Sequence, residues 1–165
     1  MKHPIIQFIA ISLAAIALGS CSSMEDAVMQ NPYISYLENT GCLSHWDTDN
    51  VESRGEINNC TFEMIFDGEN AKCKFTSLEY PCDYGNVNLK ITYNDETMII
   101  IEYSSSDTAD CRCEIDASFT IENIPQNDFI LKIYHGDTHG NYNIANPKYE
   151  GRINQTDGKI VIPYR

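Results

Sequence analysis

The chain has 165 residues, with 11 basic and 24 acidic side chains, a net charge of −13 and seven cysteines. A surface this acidic repels nucleic acid and anionic lipid headgroups, which argues against DNA or RNA as a partner. The length suits one domain. No glycine-rich phosphate cradle is present, and no cofactor is expected.

Lys2 precedes an apolar run over residues 5–18 that only Gln7 and Ser12 interrupt. The run is shorter than the roughly 20 residues a membrane-spanning helix needs, so it reads as the core of a signal peptide. It ends in Leu18-Gly19-Ser20-Cys21. This arrangement is similar to the signal of bacterial lipoproteins, in which residues 1–20 are removed and Cys21 carries acyl chains such as palmitate. The alternative is ordinary secretion with cleavage near Gly19 and Ser20. Cysteine parity favours lipidation, because removing Cys21 from the count leaves an even set for bridges. Each buried lipid methylene adds about 0.8 kcal/mol of membrane affinity. The resemblance implies an outer-membrane destination, since Ser22 is not the aspartate associated with inner-membrane retention. Glu25-Asp26 resembles a surface-export signal, so the cell surface and the periplasmic face both stay open. Losing Lys2 takes the net charge from −13 to −14.

Residues 21–40 read as a lipidated tether with one helical turn around 34–37. Asn31-Pro32 breaks any helix that starts at Glu25. The folded domain is expected over 41–165. Its first stretch, 41–56, holds Cys42 and the only tryptophan, Trp46, without a clear period.

From residue 59 onward, apolar and polar residues alternate as in half-buried strands. Cys60, Phe62, Met64 and Phe66 share one phase, and Ala71, Cys73 and Phe75 another, across the turn 67–70. Val87, Leu89, Ile91 and Tyr93 follow. Residues 98–101 are continuously apolar, as in a central strand covered on both faces. Residues 111–121 alternate throughout, with Cys111, Cys113, Ile115, Ala117, Phe119 and Ile121 inward. Further strands are expected over 129–134, 149–153 and 159–163. Short connections favour antiparallel pairing. The predicted architecture is an all-β, disulfide-stapled antiparallel sandwich of roughly seven to eight strands, immunoglobulin-like or transthyretin-like, with a barrel as the alternative.

Six cysteines in an exported chain imply bridges among Cys42, Cys60, Cys73, Cys82, Cys111 and Cys113. Cys111 and Cys113 lie about 7 Å apart along one strand, so each should find a different partner. A four-residue turn sets Cys73 against Met64, which disfavours a Cys60–Cys73 bridge. The preferred pairings are Cys82 with Cys111 or Cys113, and Cys42 with Cys60 or Cys73.

The stretch IEYSSSDTADCRCEIDASFTIENIPQNDFILKIYH, residues 101–135, combines a C-x-C, an acidic alternating strand and an F-x-I-x-x-I-P turn. It resembles small cysteine-rich exported β-sandwich lipoproteins of Gram-negative gut anaerobes, and its turn resembles an element of transthyretin-like and fibronectin-like domains. The resemblance implies an exported sandwich and brings no catalytic residues with it.

Candidate chemistry centres on His135-Gly136-Asp137-Thr138-His139. In an extended segment His135, Asp137 and His139 would share a side, a ligand set for zinc or another divalent ion. The competing reading is a polar glycine-flanked loop. No nucleophile motif accompanies the serines at 104–106, which are expected in a hairpin loop. The loop 135–147, with His135 and Tyr142, is the expected ligand-contact region. Asp107-Thr108-Ala109 resembles an O-glycosylation motif of the same gut anaerobes, which nominates Thr108. The leading expectation is a membrane-anchored, non-enzymatic module that binds protein or glycan or serves envelope assembly. The alternatives are a metal-dependent hydrolase using His135, Asp137 and His139, and an exported hydrolase inhibitor.

Overall fold

The computed structural model describes residues 31–47 and 60–164. The expected signal peptide, the expected lipidation residue Cys21 and the first part of the expected tether lie outside the described residues.

Ten strands are formed among the described residues. In chain order they are β1 (Tyr33–Asn39), β2 (Ser44–Asp47), β3 (Thr61–Asp67), β4 (Asn70–Pro81), β5 (Val87–Asn94), β6 (Thr97–Ser104), β7 (Cys111–Glu122), β8 (Phe129–His135), β9 (Tyr149–Ile153) and β10 (Lys159–Pro163). One sheet has the order β1-β7-β4-β3-β10, with β2 also paired to β7, and the other has the order β5-β6-β8-β9. The fold is thus an all-β sandwich stapled by disulfides, as the alternation predicts.

Strand β7 is the spine of the larger sheet. Cys113, Ile115, Ala117, Phe119 and Ile121 point inward and are buried, while the residues between them stay partly exposed. Slipping this strand by one residue would bury Arg112, Glu114 and Asp116 instead, at several kcal/mol for each unpaired charge, so the register is strongly fixed. The rings of Phe62, Phe75 and Phe119 meet from three neighbouring strands with centroids 4.8 to 6.2 Å apart. Met98, Ile100, Leu131 and Ile133 supply the facing layer from the second sheet.

Three expectations need correction. Residues 33–39 are a strand, not a tether with a helical turn: β1 pairs antiparallel with β7, with Leu37 opposite Phe119. Its period was hidden because it is an edge strand, mostly exposed, with an irregularity between Ile34 and Tyr36. Pairing is also not antiparallel throughout, since β6 and β8 run parallel. Strand β7, which lies between them in sequence, belongs to the opposite sheet. A short connection that changes sheets puts no antiparallel constraint on the strands it separates. For the same reason Ser105 and Ser106 lie in a connection between sheets, and Ser104 ends β6, instead of all three forming a hairpin loop.

The third correction concerns the bridges. Two form, Cys42–Cys113 and Cys82–Cys111, with Cα atoms 5.3 and 5.5 Å apart. Cys82 takes one of its expected partners. Cys42 does not, because β2 runs along β7, with Ser44 opposite Glu114, and this brings Cys42 to Cys113. Cys60 and Cys73 are free thiols. Cys73 sits opposite Met64, the register that disfavours their pairing. Cys111 lies at the rim, partly exposed, and not among the buried residues.

Candidate functional site

Both bridges lie at one end of the sandwich. There the end of β4 and the start of β7 face the ends of β6 and β8, with Tyr80 opposite Cys113 in one sheet and Glu102 opposite His135 in the other. A cleft of about 360 Å³ opens at this end. It is lined by Glu79, Tyr80 and Pro81 from β4, Ser104 and Asp107 from the end of β6 and beyond, Arg112 from β7, and His135 through Thr138.

The walls are set by local hydrogen bonding. Asp83 anchors the 105–110 connection by accepting from the hydroxyls of Ser106 (2.9 Å) and Thr108 and from the Ala109 amide (3.0 Å). The Thr108 hydroxyl is the main cause that holds the Asp83 carboxyl down at about 2. Thr108, the nominated glycosylation residue, is thus exposed but already hydrogen-bonded. Arg112 approaches Asp107 at 3.6 Å across the rim.

Behind the cleft stands Glu102, only 1% exposed. It continues the inward phase of Met98 and Ile100, so strand geometry drives a carboxylate into the interior. Its Oε1 accepts from the Tyr164 hydroxyl and contacts His135 Nδ1 at 2.7 Å. Its Oε2 has no partner among the described residues, nor does the buried hydroxyl of Tyr80. The Glu102 carboxylate holds the His135 imidazole above its ordinary pKa, against partial burial and the nearby Lys148. The same carboxylate adds to burial in pushing the Tyr164 phenol well above its ordinary value. Burial, more than any charge, pushes the Cys60 thiol up to about 12.

The His135 side chain is 46% exposed and lies 5.7 Å, centroid to centroid, from the Tyr80 ring. With Nδ1 committed to Glu102, Nε2 is left for the cleft. A carboxylate on one ring nitrogen fixes the tautomer and raises the basicity of the other.

Residues 135–147 do not extend into solvent as a free loop. Asp137 folds the segment on itself by accepting from the backbone of His139 (2.9 Å) and Asn141 (2.8 Å) and from the Asn141 side chain (2.9 Å). Lys90 donates to the His139 carbonyl at 2.8 Å. Tyr142 packs its ring 4.5 Å from that of Tyr134. The loop thereby covers the outer face of the smaller sheet, which explains why Ile101 and Tyr134 are buried on that side. Gly136 is needed for this approach: a Cβ there would lie 3.0 Å from Ile101 Cγ2 and 3.1 Å from Gly140 Cα.

The expected ligand set is not assembled. Both Asp137 oxygens serve its own loop, His135 Nδ1 serves Glu102, and His139 Nδ1 lies 3.2 Å from the Thr138 hydroxyl. Among the described residues no three His, Cys, Asp or Glu side chains are grouped to hold a metal. Sequence reasoning found His135 and missed Glu102, Tyr80 and Tyr164. The available signal was Glu102, a carboxylate in phase with inward apolar neighbours.

No family model matches the chain, and neither a curated protein nor a solved structure does.

Proposed function

We propose that this chain is an exported, lipid-anchored, non-enzymatic binding module of the outer membrane, and that it takes a protein or glycan ligand at the cleft beside His135. The observation that carries this reading is the cleft itself: a concave, mixed polar and aromatic surface at the disulfide-stapled end of the sandwich. Rigid strand ends fix its walls, which favours binding with little reorganisation. Ser104, at the end of β6, gives its hydroxyl to the Ser106 carbonyl at 2.7 Å. The metal-dependent hydrolase is the weaker reading, because Asp137 gives both oxygens to its own loop. The signal-like N-terminus and the two bridges support export to an oxidising compartment.

Two measurements test the proposal. Mass spectrometry of the native N-terminus should show an acylated Cys21, and an intact 1–20 segment would refute the anchoring. Glycan and peptide arrays probed with the soluble domain should give hits that vanish in Thr138→Trp, which fills the cleft. Hits that survive this substitution, or an empty result on both arrays, would refute the binding reading.

A further inference from the structure

With Cys21 carrying the lipid, as proposed above and as this inference requires, the place where the chain enters the domain decides which end of the sandwich the anchor holds. The described chain starts at Asn31, and β1 opens with Tyr33 opposite Glu122, the last residue of β7. From there β1 and β2 run the length of β7 as far as Asp47, opposite Cys111. The entry end also holds the turn at Gly68, since Asn70 pairs with Glu122 too. The second sheet brings its turn at Asp95 and Glu96 to the same end. The connection from β7 to β8 ties both turns there: the Ile124 amide donates to the Glu69 carbonyl and the Ile130 amide to the Glu96 carbonyl, each at 2.8 Å. Both bridges and the cleft lie at the opposite end, with Gly85 in the connection that follows Cys82.

Length limits how far the domain can turn over. Strand β7 has 12 residues and spans about 36 Å. The connection from Cys21 to Asn31 reaches at most about 36 Å when fully extended. Bringing the stapled end down to the bilayer would use that whole reach, with the connection laid straight along the domain. The entry end needs none of it. A net charge of −13 gives the domain no general attraction to anionic headgroups that would offset this difference.

We propose that the domain stands on its membrane by the Tyr33 end and presents the disulfide-stapled end outward. The partner it meets is then a macromolecule arriving from the compartment beyond the membrane, not a lipid of its own bilayer. The anchor works as a post: it sets the direction of the stapled end as well as the address of the protein.

The test uses the acylated protein in phosphatidylcholine nanodiscs doped with a lipid that carries a gadolinium chelate on its headgroup. Paramagnetic relaxation of backbone amides is read by NMR at Gly68 and Glu96 from the entry end, and at Gly85 and Asp137 from the stapled end. Enhancement should be several-fold larger at Gly68 and Glu96. Inserting about twenty Gly and Ser residues after Asp26, worth roughly 25 Å of extra root-mean-square reach, should erase most of that contrast. The mature chain made without its lipid should show no enhancement at either end. Equal enhancement at both ends, or more at Gly85 and Asp137, would overturn the proposal while leaving the anchoring intact. So would a contrast that the insertion leaves unchanged, or one that the lipid-free chain reproduces, since the surface itself would then orient the domain. An N-terminus without acyl chains overturns the anchoring and this proposal together.

Discussion

Tyr164→Phe deletes one hydroxyl and nothing else, and the structure says what that hydroxyl is worth. It donates to Glu102 Oε1, with Tyr164 6% and Glu102 1% exposed. The carboxylate has only one other partner, His135, and its second oxygen has none among the described residues. A hydrogen bond to a charged group contributes about 1.5–3 kcal/mol, and that is the expected loss. Urea denaturation with the bridges intact measures it, and the denaturant slope should not change. In a Glu102→Leu background the same deletion should cost less than about 0.5 kcal/mol, since there is no carboxylate left to satisfy. If Tyr164→Phe lies within about 0.5 kcal/mol of the parent, or costs the same in both backgrounds, the buried pair does not clamp the end of the sandwich and the reasoning fails.

Four further outcomes follow from the same geometry. Glu102 raises the folded pKa of His135 above the unfolded value of about 6.5, so this contact stabilises fully below about pH 6.5 and fades as pH rises through the folded pKa; Glu102→Gln should flatten that slope in urea midpoints taken from pH 5 to 9. Thr108→Ala should let the Asp83 carboxyl rise from about 2 toward the ordinary value of about 3.9, read by NMR titration; the support Asp83 gives is present above that ordinary value and is lost as pH falls through about 2. Phe119→Ala should destabilise by about 3–5 kcal/mol and Ser118→Ala by less than about 0.5 kcal/mol in equilibrium unfolding, given that Phe119 is 2% exposed among aromatic rings. Replacing Cys42 and Cys113 by alanine should cost more than replacing Cys82 and Cys111: chain entropy gives about 4.4 kcal/mol for the 71-residue separation and about 3.6 for the 29-residue one, and calorimetry can rank them.

The parts of the fold legible in the sequence are those where one face is buried and the register is regular. Strand β7 shows this best, with buried residues alternating from Cys113 to Ile121. Strand β4 shows where such reading stops. Its inward residues are Ala71, Cys73 and Phe75, but after the bend at Ser77, which has a φ of 57°, they become Leu78 and Tyr80. One inserted residue resets the phase, so the second half of the strand looks irregular in sequence. Strand β1 escaped because an edge strand has little burial to record. The parallel pairing of β6 and β8 depends on which sheet β7 joins, which no local pattern encodes. At the site, His135 stood out as a histidine among glycines. Glu102 did not, because a carboxylate is ordinarily read as facing water, and Tyr80 and Tyr164 resemble any other core tyrosines.

The order of the cysteines along the chain bears on how the native state is reached. The two bridges are nested, with Cys82–Cys111 inside the span closed by Cys42–Cys113, and Cys60 and Cys73 stand between Cys42 and its partner. A chain oxidised from its N-terminus would meet Cys60 long before Cys113, so a bond made by proximity alone would be a wrong one. Reaching the native pair would then require thiol–disulfide exchange, which takes seconds to hours depending on oxidant and isomerase. Folding afterwards closes that route. Exchange needs a thiolate, and the folded protein holds the Cys60 thiol at about 12 and buries Cys73 beneath the sheet. The two spare thiols are thus far less reactive in the finished fold than in the open chain, Cys73 by burial and Cys60 by its raised pKa, which favours keeping the connectivity once it is reached.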